Sequence, residues 1–98
     1  MSRVVHHLKE PYDVLIDRTS KWGNPFKRGP DGTRSEVIEK FRQWAKSNKE
    51  FLESLDELDG KVLGCWCSPK PCHGDVILEL IEQRKKAKAI ESLFKEGD

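Results

Sequence analysis

The sequence predicts an α/β domain, a short and mostly parallel sheet of three or four strands carrying about three helices. Three observations lead there. Two β-branched runs near the N-terminus and an apolar run over 61–67 have the character of strands, whereas the segments between and after them repeat apolar residues at helical spacing. Strand, crossover with two helices, strand and closing helix is the order of a βαβ unit, in which the strands are parallel and the crossover right-handed. Ninety-eight residues provide for one core, so the chain reads as a single domain over 1–98.

The first strand is expected over 3–8 and the second over 12–16, joined by a tight connection. His6 and His7, in the first, should then face opposite ways, so that at most one points toward the cysteine turn described below. Residues 17–33 (DRTSKWGNPFKRGPDGT) hold three Gly and two Pro and form a long loop. Trp22 and Phe26 argue that it is ordered. Thr33 and Glu36 have the spacing of a capping box, and Val37, Ile38, Phe41, Trp44 and Ala45 continue as an apolar stripe, giving a helix over 35–47. Asn48 caps a second helix over 49–58, which Gly60 ends. Residues 61–67 form a buried strand, and Val76, Ile77, Leu80 and Ile81 open a helix over 75–94. Its Arg84–Lys88 run reads as a solvated face.

Composition narrows the function classes. Eighteen Lys and Arg against seventeen Asp and Glu give a net charge of +1, without the basic excess of a protein that holds nucleic acid by its phosphates. No segment has the length and apolarity to span a bilayer, the N-terminus has no signal-peptide pattern, and a cytoplasmic location is expected. Three cysteines crowded into 65–72 do not make a disulfide framework. The local charge is uneven: residues 1–34 carry seven basic and four acidic groups, with Arg18, Lys21, Lys27, Arg28 and Arg34 gathered around the Gly/Pro-rich loop. That loop is where function is expected.

The sharpest chemical signal is GCWCSPKPCHGD over 64–75, where a buried strand turns into a helix. Alternation puts Cys65 and Cys67 on one face and Trp66 on the other, and the turn brings back Cys72 and His73. Three readings follow. Cys65, Cys67, Cys72 and His73 have the composition of a Cys3His zinc site. A thiol at a helix N-terminus has a lowered pKa, which would make Cys72 a nucleophile beside His73. The third reading is of small buried thiols that simply pack. Parallel sheets take ligands at the carboxyl ends of their strands, and both this turn and the 18–26 loop leave a strand there. Arg18 and Lys21 would hold an anion, Trp22 would stack on a ring and Asn24 would orient the ligand, with Gly23, Gly74 and Asp75 as further binding positions. No dinucleotide fingerprint, phosphate loop or hydrolase elbow is present.

Residues 10–18 (EPYDVLIDR), 20–26 (SKWGNPF) and 60–67 (GKVLGCWC), followed by PCHGD over 71–75, closely resemble domain-of-unknown-function family 4326, found in bacteria and phages. The resemblance covers about residues 3–82 and leaves 83–98 as a C-terminal helix extension. It implies that Arg18, Trp22, Gly23, Asn24, Pro25, Phe26, Cys65, Trp66, Cys67, Cys72, His73, Gly74 and Asp75 stand at the family's signature positions, and it implies no reaction. The sequence departs from the pattern at Asp17, where glycine is usual, and at His6 and His7. A weaker, local similarity over 64–80 is to domain-of-unknown-function family 488.

The function expected is binding of a small phosphate-bearing or nucleotide-like molecule, between the 18–26 loop and the Cys-His turn. If the site is catalytic, thiol-based or hydrolytic chemistry would use Cys72 and His73; whether it is an enzyme stays open. The alternative is a non-catalytic module stabilised by zinc on Cys65, Cys67, Cys72 and His73, contacting nucleic acid or protein. The sequence requires no cofactor, and zinc is the metal the turn would take.

Overall fold

The computed structural model describes residues 3–17, 19–66, 70 and 72–96. Its elements run β1 (Arg3–His6), β2 (Val14–Leu15), α1 (Arg34–Lys46), α2 (Lys49–Ser54), a 3₁₀ turn (Leu55–Leu58), β3 (Val62–Cys65) and α3 (His73–Glu96). The strands form a three-stranded parallel sheet in the order β1-β3-β2, so the α/β class read from the sequence holds. β3 is central because it is apolar throughout and buried on both faces, as parallel strands usually are. Leu63 and Cys65 face the helices, and Gly64 faces the other way.

The connection between β1 and β2 is short, but it makes no hairpin. Arg3 is in register with Val62 and Val14 with Leu63, so the two strands flank β3 and run the same way. Residues 7–13 therefore return the chain across β3. They start from a bond of His7 N–H to the Cys65 carbonyl at 2.9 Å and end with one from Asp13 N–H to the Val62 carbonyl at 2.8 Å. Parallel strands generally need a dozen or more connecting residues. Two features shorten the path here: the strands are only a few residues long, and Gly64 has no side chain where the Tyr12 ring crosses.

Strand lengths differ from expectation at these crossings. β1 stops at His6, whose carbonyl accepts from Lys9 N–H and Glu10 N–H, and β2 is reduced to two residues. His7, just past the strand end, is no longer held on the face opposite His6, and the two rings stack with centroids 5.4 Å apart. Residue 67, the expected end of β3, lies outside the described residues.

The helical caps follow the sequence closely. Thr33 Oγ1 accepts from Glu36 N–H at 3.3 Å while Glu36 Oε1 accepts from Thr33 N–H at 2.9 Å, a complete capping box. Asn48 Oδ1 accepts from Phe51 N–H at 3.1 Å. The expected second helix tightens into 3₁₀ geometry at Leu55, and Gly60, at φ +79°, supplies the left-handed residue that leads into β3. α3 starts two residues earlier than expected and runs unbroken through its basic stretch. That stretch is not merely solvated: Arg84 donates to both Asp56 oxygens at 3.2 Å and Lys88 to Asp56 Oδ2 at 2.9 Å, tying α3 to the 3₁₀ turn.

Between sheet and helices lies one core, including Ile16, Phe41, Phe51, Leu55, Leu63, Ile77 and Leu80. No helix among the described residues is long and apolar enough to cross a membrane. All three strands point their carboxyl ends toward the 17–33 loop and the start of α3, and this is where the candidate site lies.

Candidate functional site

The described residues of the long loop are held by bonds among near neighbours. Asp17 Oδ1 accepts from Thr19 N–H at 2.9 Å and the Asp17 carbonyl from Ser20 N–H at 3.0 Å; Gly23 N–H reaches the Ser20 carbonyl at 3.1 Å. Further on, Asp31 Oδ2 accepts from Lys27 N–H at 2.7 Å, and Gly29 and Gly32, at φ +101° and +131°, close a tight turn through Gly29 N–H and the Gly32 carbonyl. Asn24 joins loop to helix. It is 9% exposed, its Nδ2 donates to the Val37 carbonyl at 3.2 Å and its Oδ1 accepts from Phe26 N–H at 2.9 Å.

These constraints leave a cleft of about 400 Å³ lined by Asp17, Thr19, Asn24, Arg28, Arg34, Val37, Ile38, Cys65, Trp66, Cys72 and His73. The strand ends and the first turn of α3 contribute Asp17, Cys65, Trp66, Cys72 and His73, the loop Thr19, Asn24 and Arg28, and the first turns of α1 Arg34, Val37 and Ile38. Its size is that of sites that take one small organic molecule, and its mainly apolar lining with a few polar groups is characteristic of them.

At the base are two thiols. Cys72 Sγ lies 3.7 Å from Cys65 Sγ and accepts from Gly74 N–H at 3.3 Å. Burial first, and then the neighbouring Cys65, push the Cys72 thiol up to about 12; the Gly74 N–H opposes this and does not prevail. The direction is opposite to the activation expected at a helix N-terminus. Cys72 is only 4% exposed, so loss of hydration outweighs the dipole. His73 donates from Nε2 to the Ile16 carbonyl at 2.8 Å, and Phe41 packs edge-on against the ring at 5.2 Å.

At the rim is Trp66, 59% exposed. Its Nε1 donates to Asp17 Oδ2 at 3.1 Å, and the His7 ring lies against it at 3.9 Å between centroids. Hydrogen bonds from the Thr19 side chain, from Trp66 and from Thr19 N–H hold the Asp17 carboxyl below its ordinary 3.8. Because the folded value is depressed, the stabilisation from ionised Asp17 is present above pH 3.8 and is lost as pH falls through the folded value. A titration of the Asp17 carboxyl carbon by NMR should therefore give a midpoint below 3.8, moving with the Trp66 indole N–H resonance. A midpoint at or above 3.8 would mean that this network does not form in solution.

Of the residues expected to form the site, Asn24, Cys65, Cys72 and His73 come together in the cleft. Lys21, Trp22, Gly23, Gly74 and Asp75 are not among its lining. Lys21 pairs with Glu57 at 2.8 Å and lies over the Trp22 ring, while Trp22 Nε1 donates to Ser54 Oγ at 3.2 Å, so both fasten the loop to α2 and the 3₁₀ turn. Asp75 Oδ2 accepts from Cys72 N–H at 3.0 Å and serves the start of α3. Arg18 and Cys67 lie outside the described residues. Asp17, Thr19, Arg28, Arg34, Val37, Ile38 and Trp66 also line the cleft, and of these the sequence signals only Arg28 and Arg34, through the basic cluster around the loop.

The chain is 40% identical over 88 residues to the "Uncharacterized 12.4 kDa protein in nrdA-td intergenic region" of Enterobacteria phage T4, an alignment covering 85% of this chain and 80% of that protein. No solved structure matches it. A family model described as Domain of unknown function (DUF4326) matches residues 2–83, a span containing every residue that lines the cleft. With the family model matching most of its length and the phage protein related over most of both chains, the protein belongs to the DUF4326 family.

Proposed function

We propose that the cleft binds a small organic anion, a phosphate-bearing or nucleotide-like compound. One observation carries the reading: two guanidinium side chains, Arg28 and Arg34, line a mainly apolar cleft at the carboxyl ends of parallel strands. Arginine matches a phosphate or carboxylate with two parallel donors, and a partly enclosed site strengthens that pairing. Val37 and Ile38 offer the rest of the ligand an apolar surface. Neither thiol is put forward as a nucleophile, because both are buried and Cys72 is held protonated.

Isothermal calorimetry with inorganic phosphate, phosphosugars and nucleoside monophosphates tests this. At least one should bind the wild type, and Arg34→Gln should weaken that compound by about tenfold or more, since a hydrogen bond to a charged group contributes roughly 1.5–3 kcal/mol. Added salt should weaken it further. Failure of every phosphate compound to bind, or unchanged affinity in Arg34→Gln and Arg28→Ala, overturns the reading.

A second reading, zinc in the Cys-His turn of a non-catalytic interaction module, has one observation in its favour. Two sulfurs bound to one tetrahedral zinc at about 2.3 Å lie about 3.7 Å apart, the separation of Cys65 and Cys72. Cys67, one of the four expected ligands, lies outside the described residues, so this reading rests on that one distance and stands second. Stoichiometric zinc in protein purified without a metal-affinity tag would reverse the order.

A further inference from the structure

We infer that Trp66 is a stacking platform for a planar ring and that the ligand is a nucleoside monophosphate, its base on Trp66 and its phosphate on Arg28 and Arg34. This rests on the anion-binding reading of the same cleft and narrows it to one ligand class.

Four observations support it. Trp22, the tryptophan expected to stack, is committed elsewhere through Ser54 and Lys21. Trp66 is in the opposite situation: it lines the cleft with 59% of its surface open, a large apolar area left in water. Despite that exposure its orientation is fixed. The indole N–H is held by Asp17, which is itself held by Thr19, and the His7 ring lies against the indole at 3.9 Å. An aromatic side chain already oriented forfeits little side-chain freedom when a ring settles on it. Finally, the lining is chemically divided by element. The strand ends contribute the indole and the Asp17 carboxylate, which repels an anion, whereas the loop and α1 contribute the two arginines. A ligand with a neutral planar ring and a negative group uses both parts of the lining, in a space of about 400 Å³. A phosphosugar uses only the second.

Calorimetry on the full chain distinguishes the cases, using the four ribonucleoside 5′-monophosphates, ribose 5-phosphate and inorganic phosphate. At least one nucleotide should bind the wild type about tenfold or more tightly than ribose 5-phosphate, the magnitude expected for one stacked base. Trp66→Ala should remove that preference, bringing the nucleotide to the affinity of ribose 5-phosphate, while Trp66→Phe, which keeps a ring but loses the N–H held by Asp17, should retain part of it. The Phe variant also guards against misfolding of the Ala variant. If ribose 5-phosphate binds as tightly as the nucleotides, or Trp66→Ala binds them like wild type, the stacking inference is wrong and the anion cleft stands. If no phosphate compound binds the wild type, both fall.

Discussion

Replacing Phe41 with alanine should lower the free energy of unfolding by about 3–5 kcal/mol, the usual cost of removing a fully buried phenyl ring and leaving a cavity. Phe41 is 0% exposed and packs against three other rings: Trp44 at 5.8 Å, Phe51 edge-on at 5.6 Å and His73 edge-on at 5.2 Å. Those partners belong to α1, α2 and α3, so no one neighbour moving inward can refill the space. Against a total stability of about 5–15 kcal/mol for a small domain, this is a large fraction. Urea denaturation followed by circular dichroism should show an earlier midpoint with an unchanged slope. The variant should also loosen the His73 ring and so broaden its resonances. A loss below about 1.5 kcal/mol would show that the core collapses around the cavity and that Phe41 does not hold the helices to the cleft.

Phe41 also marks what sequence reasoning captures well. Its place on the buried stripe of α1 follows from apolar period alone, and the caps at Thr33 and Asn48 follow from local hydrogen-bond chemistry. Sheet order is different, because it depends on where an element separated by many residues inserts. Nothing in residues 3–16 announces that Val62–Cys65 lies between the two N-terminal strands. The site is divided in the same way. The meeting of the loop with the Cys-His turn is dictated by parallel topology, so Asn24, Cys65, Cys72 and His73 are legible. Which loop side chains turn inward is decided by partners elsewhere. Glu57 and Ser54 draw Lys21 and Trp22 away, and neither acceptor can be paired with them from the sequence. For Cys72, the helix N-terminus is visible in the sequence but the depth of burial that opposes it is not. Alternation places Trp66 on the far face of β3, which describes a strand interior; as the residue just past the strand end it also lines the cleft.

Gly64→Ala should destabilise the protein by about 1–3 kcal/mol, the cost of forcing extra volume into a packed contact. The sign is the informative part. In a strand, replacing glycine by alanine at a compatible backbone conformation commonly stabilises by about 0.4–1 kcal/mol through the unfolded chain, and Gly64 is not among the glycines with positive φ. Here a Cβ would stand 2.7 Å from Tyr12 Cγ and 3.0 Å from both Cδ atoms. Cγ is the near end of the ring, so Tyr12 cannot simply swing its tip aside; the ring and the 7–13 segment must lift off β3. Tyr12 packs edge-on against His7 at 6.4 Å, and His7 lies against Trp66, so the displacement should reach the cleft rim and weaken the nucleotide stacking proposed for Trp66. Adding Tyr12→Ala to Gly64→Ala should recover stability relative to the sum of the two single variants, because the double variant has no clash to relieve. Thermal and urea unfolding of the four proteins measures this. A neutral or stabilising Gly64→Ala, or strict additivity with Tyr12→Ala, would mean that the crossover does not lie on β3, and the route from β1 to β2 would have to be redrawn.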